Sequence, residues 1–144
     1  MISSIKEIVK FAKQNDVKIA IETEGSINAK DHLLMQKPRE YEKFFKIFRK
    51  NDIGINLNIG HLNLASKAFK FNKIHFINKV SNRIVAMELS HNFGKNDDHL
   101  PIKKNAWYWK TIKSEKYKEI PKILEFRNAS IKTIRNIYRL VAKN

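Results

Sequence analysis

Hydrophobic and polar positions along the chain alternate between two periods. In SSIKEIVKFAKQND, the residues Ile5, Ile8, Val9 and Ala12 recur at helical spacing, with Ser3 or Ser4 placed as a cap ahead of Glu7. This predicts an amphipathic helix. VKIAIE follows, short and rich in β-branched and small apolar residues, and it ends on Glu22 before the glycine-containing loop TEGSINAKDH. It predicts a buried strand. From Pro38, suited to a first helical position, PREYEKFFKIFRKND places Tyr41, Phe44, Phe45 and Phe48 on one face. A second strand, IGINLN, ends at Asn58.

The alternation repeats twice more. Residues 62–80 read as mixed helix, and IVAMELS is a third strand carrying Glu88. The polar loop HNFGKNDDHLPIKKN leads into NAWYWKTIKSEKYKEI, which reads as irregular or partly helical. PKILEF is a fourth strand carrying Glu125, and ASIKTIRNIYRLVAKN is a helix capped near Ser130. Strands alternating with helices predict an α/β fold with a parallel sheet, open or closed into a barrel. The residues ending the four strands, Glu22, Asn58, Glu88 and Glu125, recur at intervals of 36, 30 and 37 positions, the length of a βαβ unit. Four such units behind a leading helix amount to half of a (β/α)8 barrel.

A parallel sheet delivers every strand's C-terminal end to one side, so three carboxylates and an amide are expected to converge there. The chain has only 14 acidic residues against 29 basic ones, and clustered carboxylates repel unless a cation or another partner compensates them. Taken singly, each acid could equally cap a helix or pair with a lysine. His61 lies three residues after Asn58, and the third loop adds His91, Asp97, Asp98 and His99, although Asn, Gly and Asp also form ordinary turns. His32 and His75 are read as incidental. The run Trp107, Tyr108 and Trp109 is read as packing of a loop onto the rim, with stacking on a sugar as the alternative.

Length, charge and composition narrow the classes. With 144 residues and 42% apolar residues, one domain spanning the chain is expected, with a core of its own. The net charge of +15 would suit an anionic partner, but the lysines are dispersed rather than clustered, so a nucleic-acid partner is not expected. Absence of cysteine excludes disulfides, zinc ribbons and thiol catalysis. No apolar run has the length of a membrane span and the first residues lack a signal-peptide pattern, so a soluble cytoplasmic protein is expected.

The segments IAIETEG, PREYEKFFKIF leading to IGINLNIGHLNLAS, VAMELSHNFGKNDDHLP and PKILEFRNASIKTIRNIYRLV together resemble the last four βα units of the xylose-isomerase-like superfamily. That superfamily includes sugar phosphate isomerases and epimerases and also endonuclease IV. The resemblance implies that Glu22 is the first acidic metal ligand and Glu125 the last. His61 matches the histidine of an Asp-x-x-His pattern, and Asp97 and His99 match an Asp-x-His pattern. Two positions depart from the family. Asn58 stands where the pattern has aspartate, and Glu88 with His91 stands for a His-x-x-Asp pair with acid and histidine exchanged.

The implied metal set is therefore Glu22, Asn58, Glu88 and Glu125, joined by Asp97 and His99. The first four are all oxygen donors, which favours Mg2+ or Mn2+, with Zn2+ an option if His91 or His99 swings in. The implied chemistry is metal-dependent isomerisation or epimerisation of a sugar or sugar phosphate through an enediolate. Glu22 and Glu125 exchange the proton, and His61 and His91 contact the substrate. Two other readings stand beside it: a non-catalytic half barrel that has lost ligands and works by pairing, and an apurinic-site nuclease. Half a barrel leaves two sheet edges open, so self-association or pairing with a separately encoded N-terminal half is expected.

Overall fold

A computed structural model describes residues 2–29 and 33–142 of the chain. The residues between these spans include His32, which therefore lies outside the described residues. Four strands, β1 (Ala20–Glu22), β2 (Gly54–Asn58), β3 (Ile84–Leu89) and β4 (Lys122–Leu124), form one sheet in that order. Every neighbouring pair is parallel. Helices α1 (Ile2–Gln14), α2 (Pro38–Ile47), α3 (Ile59–Ala68), α4 (Lys73–Val80), the single turn α5 (Trp109–Ile112) and α6 (Ile131–Ala142) accompany them. This is the α/β, partial (β/α)8 architecture that the alternation predicts.

Alternation within the strands separates two faces. Ile55, Leu57, Met87 and Leu89 are fully buried and form the core with Tyr41, Phe44 and Phe48 of the α2 region, Ile59 and Leu62 of α3, and Phe76 and Ile77 of α4. Tyr108 joins this core at 1% exposure, so the middle of the aromatic run is packing, as the sequence suggests. The opposite face, the interior of a closed barrel, carries Glu22, Asn56, Asn58 and Glu88 in register. It is also apolar and open at Val85, nearer the strand starts, and at Ile123, in register with Glu88. The register shifts between Ile55 and Asn56, which leaves Val85 as an extra residue facing Gly54. A Cβ on Gly54 would lie 2.5 Å from a Val85 methyl, so the bulge requires glycine there.

Several boundaries differ from the sequence reading. The outer strands are three residues each because each pairs on one side only, and Val17 is exposed ahead of β1. Glu125 therefore sits just beyond β4. Residues 62–80 are two helices, and the first starts earlier, at Ile59, because Asn58 caps it. Ser3 and Ser4 lie within the first turn of α1 rather than ahead of it, which corrects the proposed cap. Ser130 does cap α6, its hydroxyl accepting from the Thr133 N–H at 3.1 Å. His75 is exposed on α4.

Candidate functional site

Asn58 stands at the end of the central strand β2, fully buried, and its side chain organises the strand ends. Its Oδ1 accepts the backbone N–H of His61 at 3.0 Å, which is the N-cap bond of α3. That bond fixes the amide orientation, since only the oxygen can accept it. The Nδ2 group is left facing three carboxylates: Glu22 Oε1 at 2.9 Å, Glu88 Oε2 at 2.9 Å and Glu125 Oε2 at 3.1 Å. Two N–H bonds thus serve three acceptors. Asn58 is tied to β1 as well, its N–H donating to Thr23 Oγ1 at 2.8 Å while that hydroxyl donates to the Asn58 carbonyl at 3.2 Å.

The three carboxylates are not equivalent. The His61 imidazole donates to Glu22, at 3.0 Å, and holds this carboxyl below its usual range despite burial, with help from Asn58. Burial raises Glu88, and the charges of Glu22 and Glu125 add to that, against the hydrogen bond from Asn56 Nδ2 at 2.8 Å. Burial alone would lower His61. Its bond to Glu22 and the nearby charges of Asp97 and Glu24 outweigh that and raise it to about 9. Neighbouring acids pushed in opposite directions are a common feature of acid–base sites.

A second cluster adjoins the first. The loop between β3 and α5 is closed at its base by reciprocal backbone bonds of 2.8 Å between His91 and Leu100. Asn63 of α3 grips it by donating to Asn92 Oδ1 at 2.8 Å, and Asn92 donates in turn to the Gly60 carbonyl at 2.9 Å. The loop so held presents Asp97 and His99. His99 is buried, has a positive φ of 46°, and its carbonyl accepts from Arg127 N–H at 2.9 Å.

His61, Asp97 and His99 place one ligand atom each within 4.8 Å of one another. Asp97 Oδ2 lies 2.7 Å from His99 Nε2 and 3.5 Å from His61 Nε2. The other ring nitrogens face acceptors: Nδ1 of His61 lies 3.2 Å from the Thr23 carbonyl besides Glu22, and Nδ1 of His99 lies 3.3 Å from both the carbonyl and Oε2 of Glu125. Both Nδ1 atoms thus face oxygen acceptors, while both Nε2 atoms are directed at Asp97, that of His99 at hydrogen-bond distance from it. Histidine backed by a carboxylate or carbonyl is the usual second shell of a metal ligand. Asp97 Oδ1 is buried with no hydrogen-bond partner, a polar atom that a bound cation would satisfy.

The structure thus brings Glu22, Asn58, Glu88 and Glu125 together, and His61, Asp97 and His99 beside them. His91 points elsewhere: its Nδ1 is hydrogen-bonded to the Tyr108 hydroxyl at 3.1 Å, its ring meets Phe93, and burial lowers its pKa. It belongs to the base of the loop. Sequence reading missed Asn56, Thr23 and Asn92. Asn56 was legible, because two residues before Asn58 on a strand means the same face. The other two had no local signal.

The solved structure of a D-tagatose 3-epimerase-like protein superposes with a TM-score of 0.70 and 25% identity, over 96% of this chain and 53% of that one. The sequence profile of the Xylose isomerase-like TIM barrel matches residues 1–141. The chain belongs to this family. Uncharacterized protein y4fM of Sinorhizobium fredii (strain NBRC 101917 / NGR234) is 26% identical over 97 residues, 67% of this chain and 28% of that protein. The chain thus spans about half of the solved neighbour and a smaller part of the curated relative. Among the described residues, no helix is long and apolar enough to cross a membrane.

Proposed function

We propose that this chain carries the metal- and proton-handling half of a sugar isomerase or epimerase barrel acting on a sugar-like polyol. The observation that carries the reading is the pair of histidines whose Nδ1 atoms are held by carboxylate or carbonyl oxygen while both Nε2 atoms converge on Asp97, whose other oxygen has no partner. His61, Asp97 and His99 would hold a divalent cation. Two imidazoles and a carboxylate shift the preference from Mg2+ towards Zn2+ or Mn2+. Bound there, such a cation would supply polarisation of a substrate carbonyl.

The chain's own residues would handle the proton. Glu22, kept ionised by His61, would take the proton from the carbon next to the carbonyl, and Glu125, entering as the carboxylic acid, would give its own proton to the opposite face, inverting that carbon and leaving the two carboxyls with exchanged protonation. Asn58 spaces the two carboxylates about a single nitrogen. The remaining wall of the site would come from further βα units. The name of the D-tagatose 3-epimerase-like neighbour supports a ketose-like substrate.

One observation favours a non-catalytic half barrel instead: Asn58 turns nitrogen, not oxygen, towards the carboxylates, and so occupies them itself. Equilibrium dialysis with Zn2+ and Mn2+ separates the two readings. One ion per chain, bound at least about tenfold more weakly by Asp97→Asn and His99→Gln, supports the metal centre, in line with the effect of losing ligands or their supports. Deuterium uptake by D-tagatose in D2O, lost in Glu22→Gln, would support proton exchange. No binding, or binding indifferent to both ligand variants, removes the catalytic reading.

A further inference from the structure

Lys73, the first residue of α4, is half-buried and belongs to neither cluster at the strand ends. Its ammonium donates to Asn63 Oδ1 at 2.6 Å and lies 4.3 Å from the centroid of the Trp107 ring, so it ties α4 to α3 and to the segment that follows the loop. An ammonium has donors only, and it therefore takes the oxygen end of the Asn63 amide. The Nδ2 end faces Asn92, where it meets Oδ1 at 2.8 Å and the carbonyl at 3.2 Å. Asn92 Oδ1 also accepts the Gly94 N–H at 2.9 Å, which leaves its own Nδ2 to donate to the Gly60 carbonyl at 2.9 Å. Each amide thus has one orientation, and donors and acceptors alternate without a break from Lys73 to the residue before His61. Asn63 and Asn92 are buried, at 5% and 3% exposure. A Cβ on Gly60 would lie 2.4 Å from Ser90 Oγ and 3.2 Å from Asn92 Nδ2, so the chain after β3 comes this close to α3 only at a glycine.

We propose that Lys73 is a positioning residue for the His61, Asp97 and His99 centre, acting through Asn63 and Asn92 to hold the loop against α3. The inference rests on the reading of those three residues as a metal centre and adds a remote group that sets their spacing. Removing the ammonium leaves Asn63 Oδ1 a buried acceptor that has lost its donor, and the amide relieves that loss by turning away from Asn92. The loop is then tied to α3 by fewer bonds and opens more often, which spreads the distances between His61 and the two loop ligands. Outer partners of metal ligands govern affinity in this way.

Hydrogen exchange on the metal-free whole chain tests the relay. Lys73→Met keeps the length of the stem and removes donor and charge. Exchange at the Gly94 and Leu100 N–H groups should quicken about fivefold or more, the scale of an orphaned buried acceptor. The Ile55 N–H, bonded to the Arg83 carbonyl in the sheet, should stay unchanged. Lys73→Arg retains donors and a cation for Trp107 and should lie closer to the parent than to Lys73→Met. In an Asn92→Ala background, Lys73→Met should add nothing at Leu100, because the relay is already cut. Unchanged exchange in Lys73→Met, equal quickening at Ile55, additive effects with Asn92→Ala, or Lys73→Arg behaving as Lys73→Met overturns the inference. Where the parent binds Zn2+, Lys73→Met should weaken binding about tenfold, and indifference to it overturns the inference as well. A parent that binds no ion removes the proposed function instead, and the exchange pattern still decides whether Lys73 holds the loop.

Discussion

Asn58→Asp isolates the amide at the heart of the strand ends. Aspartate caps a helix as well as asparagine does, so the bond to the His61 N–H and the start of α3 persist. What changes is the other side, where the Nδ2 donor to Glu22, Glu88 and Glu125 is replaced by a fourth carboxylate oxygen. Each lost bond to an ionised group is worth about 1.5–3 kcal/mol. Two unit charges about 4 Å apart repel by about 4 kcal/mol at an effective dielectric constant of ~20. Proton uptake limits the damage, and Glu88, already raised, is the first group to take one. The net destabilisation in chelator at neutral pH should then be about 3–5 kcal/mol, the usual cost of an uncompensated buried charge.

A divalent cation should reverse this effect. At a free concentration ~100 times its dissociation constant, Mn2+ adds about 2.7 kcal/mol to whichever form binds it. Urea unfolding with and without Mn2+ measures both quantities. Making the comparison in an Asp97→Asn background keeps the histidine cluster from contributing to either protein. The reasoning fails if Asn58→Asp in chelator lies within about 1 kcal/mol of its parent, a difference ordinary for surface changes. It also fails if the parent gains as much from Mn2+ as the variant does.

Two further outcomes follow from the same geometry. In metal-free protein His61 is raised from 6.5 to about 9, so its contribution to stability is fully present below about pH 6.5 and is lost as the pH rises through 9. Urea midpoints should fall across that window, and His61→Gln should flatten the fall; an unchanged slope refutes the assignment. The open interior face, with Val85 and Ile123, and the exposed Ile8, Phe11, Ile131 and Tyr138 of the two outermost helices should drive self-association or pairing with a complementary half. Added salt should strengthen self-association, because both outer helices are basic. Sedimentation as a well-folded monomer at micromolar concentration would contradict this.

The strand-end acids were legible because a parallel sheet needs no tertiary detail to send its C-terminal ends to one side. Repeat spacing alone located Glu22, Asn58, Glu88 and Glu125. The role of Asn58 was not legible. Read as a ligand, it turns out to direct its nitrogen inward, because a backbone N–H three residues ahead claims its oxygen. His91 misled for a similar reason: it stands where the family's His-x-x-Asp pattern has its aspartate, but Tyr108, 17 positions away in sequence, holds its ring. The His61, Asp97 and His99 cluster was legible as residues of a pattern, not as a group distinct from the carboxylates. Only the fold of the loop across α3, gripped through Asn63 and Asn92, sets that separation.

The order of the strands has a consequence for how the molecule forms. Each strand pairs with the one that follows it in sequence, so no ladder waits for a distant segment. Loop-closure cost then stays nearly constant from one addition to the next, growing only with the logarithm of segment length. Assembly can proceed stepwise along the chain, as in repeat proteins, from whichever neighbouring pair forms first. In refolding, the phase that builds the sheet should be independent of protein concentration, and any step that covers its two edges from another molecule should be slower and accelerate with concentration.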